Sequence, residues 1–448
     1  MIFVFLILIG IRTVWLTTGL ELSIPELKWL LIGERLGDGF TMYKDLYDST
    51  APLAAFVYKV LDIVFGRSRF AHIVLSTTIL IFQAGLFNSI LLRNKAFAEN
   101  SYLPAFFYVI CASSVLDFLS LSPQLMSLTF VLAALNQVFR RIDNVVKDEL
   151  FLSSGLFIGI AIGFYFPAII FFPVLLLSFL LFSTAILRRL LLFVYGTFVV
   201  LLLTFGYFAW QNAGQAFLTD FFYLGVIKPK IYYISLFQHL EIGAVLLVTG
   251  LLSLSVIFTY RSTQFQQKMQ QVMGLFLLAA ILIAFITREL MSADLLFVVP
   301  SVSFFMVYFF LNLKKRFWKF LMPYLIVFGL LFYPKIWLNY NPENNLVLKP
   351  VTIQTQPSDR VMGIGLDVSE YQDCVFTGPF LDPYISERKL TDINFYDGAP
   401  QVYQAIEGSN ADLIIDRMNI AEKLFHRFPL LRKDYRKEAE DVYRKINN

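Results

Sequence analysis

The chain has 448 residues, of which 57% are hydrophobic and 16% charged, and its formal net charge is +4. That balance excludes an ordinary soluble domain and marks a polytopic membrane protein. The cations sit in short clusters between apolar runs, so they report orientation in a bilayer, and no nucleic-acid partner is expected.

Residues 1–20 read as a retained first helix, because the run has no basic start and no small-residue cleavage site and carries Arg12. A crossing helix needs roughly 20 apolar residues. By that rule further spans fall at 70–92, 103–119, 124–139, 151–166, 167–187, 190–210, 240–260, 272–287, 294–313 and 317–338, about eleven in all. Residues 52–65 are too short and carry Lys59 and Asp62, so they read as a helix lying in the membrane interface. With that choice the clusters Arg93/Lys95, Arg140/Arg141/Lys147, Arg188/Arg189, Arg261/Lys268 and Lys314/Lys315/Arg316/Lys319 share one side, the cytoplasmic one. The opening loop 21–69, the turn 119–123, the segments 211–239 and 288–293 and the tail then lie outside. Within the spans, Arg12 and Asp117 are costly in hydrocarbon, and Gly155, Gly159 and Gly163 form a stripe that suits close helix packing.

From about residue 339 the composition becomes that of a soluble domain. A Pro/Asn/Gln linker at 339–360 leads to strand-like VMGIGLD at 361–367, a helical stretch near 399–407, strand-like ADLIIDR at 411–417 and charge-rich segments read as helical, IAEKLFHRF and KDYRKEAEDVYRKI. The expected organisation is a transmembrane domain at 1–338, the linker, and a small α/β extracytoplasmic domain at 361–448.

The chemistry-bearing residues concentrate in the opening loop. The scattered His72, His239, His426, Cys111 and Cys374 offer no metal or Cys/His nucleophile spacing, and LGDGF at 36–40 is no phosphate loop. No cofactor and no metal are therefore expected. Carboxylates remain: Glu21, Glu26, Glu34, Asp38, Asp45, Asp48 and Asp62 all fall in the loop, where burial beside lipid would raise a carboxyl toward general-base range. Each of them alone is equally a loop-solvating group. The loop's cations, Arg67 and Arg69 among them, either snorkel to lipid phosphates or face an anionic lipid substrate. Lys228, Lys230 and Arg288 in the other outer segments have the same two readings.

The run GDGFTMYKDLYDSTAPLAAFVYKVLDIVFG at 37–66 resembles the first outer loop of GT-C-fold membrane glycosyltransferases, the superfamily of protein O-mannosyltransferases and aminoarabinose transferases. Tyr43, Asp45, Asp48, Pro52, Leu53, Phe65 and Gly66 carry the match, and the chain is similar to an uncharacterised Bacteroidetes-type branch. The resemblance implies a GT-C-like all-α membrane domain that takes a sugar from a polyprenyl phosphate for an envelope acceptor, on the periplasmic side of the bacterial inner membrane. A loop carboxylate, Glu26, Asp45, Asp48 or Glu21, would act as base, and Arg67, Lys228, Lys230 or Arg288 would hold the lipid phosphate. The sequence departs from the family's pattern at Pro25, Thr50, Ala51, Gln124 and Asp294, all positions that the chemistry would use. Those departures keep a second reading open, a catalytically silent scaffold of an envelope complex whose tail docks a protein partner.

Overall fold

The structure is a computed structural model and describes residues 2–17, 22–142, 147–182, 187–223, 231–255, 257, 262–313, 316–340, 348, 359–391, 399–439 and 441–446. Glu21, Lys228, Lys230 and residues 341–347 and 349–358 of the linker 339–360 lie outside the described residues. Two compact units emerge, and neither is continuous in sequence. The first comprises Met1–Glu21, Phe70–Leu203 and Lys228–Asn345; the second comprises Leu22–Arg69, Thr204–Ile227 and Leu346–Asn448.

The first unit is helical. Its helices include α1 (Ile2–Thr17), α4 (Arg69–Arg93), α5 (Leu103–Ala112), α6 (Pro123–Ile142), α7 (Asp148–Phe164), α8 (Phe171–Phe182) and the larger part of α9 (Leu187–Trp210). Among the described residues three helices are long and apolar enough to cross a membrane: α4, α9 and Gln264–Ile286. Leu236–Ile242 and Ala244–Leu254 form a further span if counted together across their 65° bend. Several stretches expected as single spans are broken: the run 103–119 is helical only to Ala112 and ends in a 3-10 turn at Leu116–Leu119. The outer side of α9 exposes Leu191, Val194, Phe198, Leu202 and Leu203, which is the surface of a helix solvated by lipid.

Two features of the apolar stretches follow directly from sequence. A Cβ on Gly155 would fall on the Phe193 carbonyl oxygen, and one on Gly159 would lie 2.8 Å from Val200 Cβ. Reciprocally, Gly196 faces the backbone of Leu152 and Leu156, so α7 and α9 touch backbone to backbone through small residues. Arg12, buried in α1, donates to the Ile73 carbonyl (3.3 Å), Ser76 Oγ (2.8 Å) and Thr77 Oγ1 (2.5 Å) of α4. Those neutral acceptors tie one end of the guanidinium into the bundle.

The second unit joins the opening loop to the tail. The loop contributes α2 (Ile24–Gly37) and α3 (Pro52–Phe65). Ser23 caps α2 by accepting from the Glu26 N–H (3.3 Å), and Pro25 occupies its first turn, where no N–H is needed. Pro52 opens α3, and Gly66, at φ 64°, ends it, so the sequence-predicted 52–65 helix forms with those bounds. Gly33 and Gly37 let α3 lie against α2; a Cβ on Gly33 would stand 2.8 Å from the Tyr58 carbonyl. The opposite face of α3 exposes Phe56, Val60, Ile63 and Val64, the amphipathic pattern of an interfacial helix.

After the two-residue parallel pair of β1 (Ile231–Tyr232) with β2 (Glu289–Leu290) in the first unit, the tail forms a five-stranded sheet in the order β4-β3-β5-β7-β6, with β3 (Arg360–Ile364), β4 (Val375–Phe376), β5 (Leu413–Asp416), β6 (Tyr435–Ala439) and β7 (Val442–Lys445). Strands β3, β4 and β5 are parallel and β7 and β6 run antiparallel. The apolar runs VMGI and LIID pair side by side, Val361 opposite Leu413, as buried parallel strands should. The expectation of a helix over KDYRKEAEDVYRKI is overturned: Pro429–Asp434 is helical, but the rest is the β6–β7 hairpin. Lys, Glu and Ala favour helix locally, yet pairing with β5 and burial of Tyr435 and Tyr443 against Phe425 outweigh that propensity.

Candidate active site

The loop's chemistry is built in the second unit, beginning with α2, which is buried nearly all round. Lys28 on this helix is 2.8 Å from Asp48, and both side chains are almost wholly excluded from solvent. The other Asp48 oxygen accepts from the Thr50 N–H at 2.7 Å. Glu26, two residues earlier and also buried, faces Arg69 at 3.3 Å. Two of the predicted carboxylates are therefore neutralised by cations of the same loop, as burial requires.

Asp45 differs. Its Oδ2 accepts from the Thr41 N–H at 2.9 Å and closes the turn between the helices, while the residue stays partly exposed. Its other oxygen has no protein partner among the described residues, so Asp45 is the carboxylate that combines a fixed position with access.

The turn is pegged by two tyrosines. Tyr43 lies in the left-handed region at φ 68°, an uncommon conformation for a bulky residue. Its hydroxyl donates to the Thr50 carbonyl (2.7 Å), and its ring meets Phe208 (5.1 Å) and Phe217 (5.6 Å) edge-on. Burial, with Asp48 and Asp220 adding to it, pushes the phenol well above its usual pKa, so the hydroxyl remains a donor. Tyr47 belongs to the hydrophobic core of the tail sheet, packing on Phe380 at 5.8 Å. Its N–H donates to the Pro379 carbonyl (2.7 Å), and its carbonyl accepts from the Asp382 N–H (3.0 Å).

Around these pegs stand groups that sequence reasoning missed. Asp220, buried on the π-helical turn Leu218–Tyr223, is 3.9 Å from Lys389, whose ammonium also lies 5.5 Å from the Tyr47 ring centroid. A carboxylate oxygen of Asp382 lies within 4.8 Å of one of Asp48. Lys28 had a local signal, a lone cation in the apolar run IPELKWLLIG. Asp220, Asp382 and Lys389 had none, because their neighbours in space lie more than a hundred residues away in the chain.

Arg67 and Glu34 form the loop's other edge. The Arg67 guanidinium donates to the carbonyls of Cys374 (2.9 Å), Tyr371 (2.9 Å) and Gln372 (3.2 Å) and stands 3.6 Å from Glu34. Burial raises the Glu34 carboxyl to about 7; Arg67 opposes this, while Asp62 and Asp38 reinforce it. Arg35, fully buried, stacks on Phe40 at 3.3 Å, and desolvation lowers it to about 10. Arg288 is buried in the first unit, so it does not join Arg67 within one unit.

That first unit has a polar cluster of its own. Asp294 accepts from Gln124 Nε2 (3.1 Å), the Tyr165 hydroxyl (2.5 Å) and the Met291 N–H (3.1 Å). Asp117 accepts from Ser292 Oγ and the Ala293 N–H. Both carboxylates are buried and held by hydroxyls and amides.

No family model matches the chain, and no curated protein matches it. Among solved structures, ArnT from Cupriavidus metallidurans bound to undecaprenyl phosphate aligns over 100% of this chain and 98% of its own, with a TM-score of 0.61 at 11% identity. The apo state of the same enzyme gives 0.57 at 12% identity, covering 96% of this chain and 94% of that one. The apo oligosaccharyltransferase of Archaeoglobus fulgidus gives 0.52 at 10% identity, covering 97% and 72%. Both neighbours have the GT-C fold, so the chain has that fold, as the 37–66 motif led us to expect.

Proposed function

We propose that this protein is a membrane glycosyltransferase that takes a sugar from a polyprenyl phosphate and transfers it to an acceptor hydroxyl at the periplasmic face of a bacterial inner membrane. In this reading about eleven membrane segments carry the chain, and the loop 21–69 and the domain 361–448 lie on the outer side. The observation that carries it is the end-to-end fold likeness to a structure with undecaprenyl phosphate bound, coupled with a loop carboxylate, Asp45, that is both fixed and accessible. Asp45 takes the proton of the acceptor hydroxyl. The acceptor oxygen bonds to the anomeric carbon, and the bond from that carbon to the phosphate oxygen breaks. The lipid phosphate leaves with the electron pair. Glu21 is the remaining candidate for negative charge near the positively charged sugar, and Lys228, Lys230 and Arg288 are the candidate phosphate cations, whereas Asp48 and Glu26 are held by Lys28 and Arg69 and Arg67 by backbone carbonyls.

The test is purified protein in lipid nanodiscs with a labelled polyprenyl-phosphate sugar. Turnover or slow hydrolysis is expected, with Asp45→Asn lowering the rate about 10²–10⁴-fold while lipid-phosphate binding persists. Full turnover in Asp45→Asn would remove it as the base.

A specific observation favours a second reading. Glu26 and Asp48 are already paired with Arg69 and Lys28, and Arg67 is spent on backbone carbonyls, which suits a catalytically silent scaffold. No binding of any polyprenyl phosphate, with stoichiometric co-purification of an envelope protein through residues 361–448, would establish that reading instead.

A further inference from the structure

The tail sheet lies hundreds of residues beyond the loop, yet the two share a core. Tyr47 is 2% exposed among Met362, Ile364, Phe380 and Ile385, and its backbone bonds on both sides to the 379–382 segment. Tyr47 sits between Asp45 and Asp48. Fixing it from the tail fixes the backbone from which both carboxylates project. Arg67 repeats the arrangement at the other end of α3, spanning the carbonyls at the end of the 3-10 turn Val368–Tyr371. Those carbonyls, at the end of the turn and just beyond it, carry partial negative charge that a cation satisfies. The guanidinium closes them, and Arg67 is thereby a strap between loop and tail.

We infer that the C-terminal sheet domain is the positioning half of the loop's site, with Tyr47 and Arg67 as positioning residues, so that transfer requires the tail even though the proposed base lies in the loop. The inference rests on the proposed function for its consequence in catalysis, but not for its geometry. Tyr47 acts through its ring and backbone: a phenylalanine keeps both, whereas an alanine leaves a cavity in the tail core and a loosened turn. Arg67→Lys keeps the charge beside Glu34 but cannot reach three carbonyls at once.

Full-length protein in nanodiscs is compared as wild type, Tyr47→Phe, Tyr47→Ala and Arg67→Lys. Amide exchange is followed at 41–50, 66–69 and 371–382, and transfer kinetics are measured where turnover exists. Tyr47→Ala is expected to speed exchange at 41–50 and 379–382 at least about tenfold, and to lower kcat with little change in KM. Tyr47→Phe restores both, and Arg67→Lys speeds exchange at 66–69 and 371–374 with 41–50 less affected. Unchanged loop exchange in both Tyr47→Ala and Arg67→Lys would overturn the inference, whatever the activity. Altered exchange in a protein that never turns over would leave the positioning role intact and count against the glycosyltransferase reading.

Discussion

The helical unit and the opening loop hold their buried carboxylates by different means. In the first, Asp117 and Asp294 accept from hydroxyl, amide and backbone donors. In the second, Asp48 and Glu26 face Lys28 and Arg69. A carboxylate satisfied by neutral donors is a structural fastening whose strength is spread over several modest bonds. One satisfied by a buried cation is a brittle pair, because removing either partner strands a charge. Both use close backbone contact, at Gly155 and Gly196 in the first and at Gly33 in the second, and the second adds aromatic pegs.

The sharpest way to break this contrast is Lys28→Met. Stranding Asp48 should cost about 3–5 kcal/mol in steric-trap unfolding, and Lys28→Met combined with Asp48→Leu should recover most of the loss. If the single variant is as stable as wild type, the second unit is not held by that pair. Gly155→Ala comes next: its Cβ meets the Phe193 carbonyl, so α7 and α9 must part, at about 1–3 kcal/mol by the same measurement. Tyr165→Phe removes one of the three bonds to Asp294 and should cost only about 1 kcal/mol. A loss as large as that of Lys28→Met would erase the distinction between the units.

The last effect is a pH slope. The folded chain holds the Glu34 proton up to about 7, above its ordinary 4.5, so the stability it contributes is full below roughly pH 4.5 and is lost as pH rises through about 7. The melting temperature in detergent should therefore fall between about pH 5 and pH 8, and Glu34→Gln should flatten that slope. An unchanged slope in the variant would assign the titration elsewhere.

What the sequence disclosed was local. Pro52 and Gly66 bound α3 because a ring-fixed φ opens a helix and a left-handed glycine ends one. The glycine stripe of α7 meant close packing, and VMGI and LIID were legible as buried strands. What stayed hidden depended on partners far along the chain. The β6–β7 hairpin forms against β5 despite helix-favouring composition. Tyr47 read as part of a loop motif, with no mark that it enters the tail core. Asp45 and Asp48 looked alike in YKDLYD, yet one is partly open and the other sealed against Lys28, a difference set by three-dimensional neighbours alone.

Among the described residues strand β6 leaves one side of the tail sheet unpaired, and its Arg436, Lys437 and Glu438 are exposed along that edge. Lys437 and Arg444 are tied to Glu422 (3.2 Å) and Glu438 (2.7 Å) of the same domain. For a protein confined to a bilayer, neighbouring copies meet at high effective concentration in two dimensions, and a plain apolar edge would invite them to zip into ribbons. A rim with charges of both signs, partly satisfied internally, makes such pairing cost the desolvation of those charges. The same hairpin that completes the fold thus makes its own edge costly for another strand to pair with.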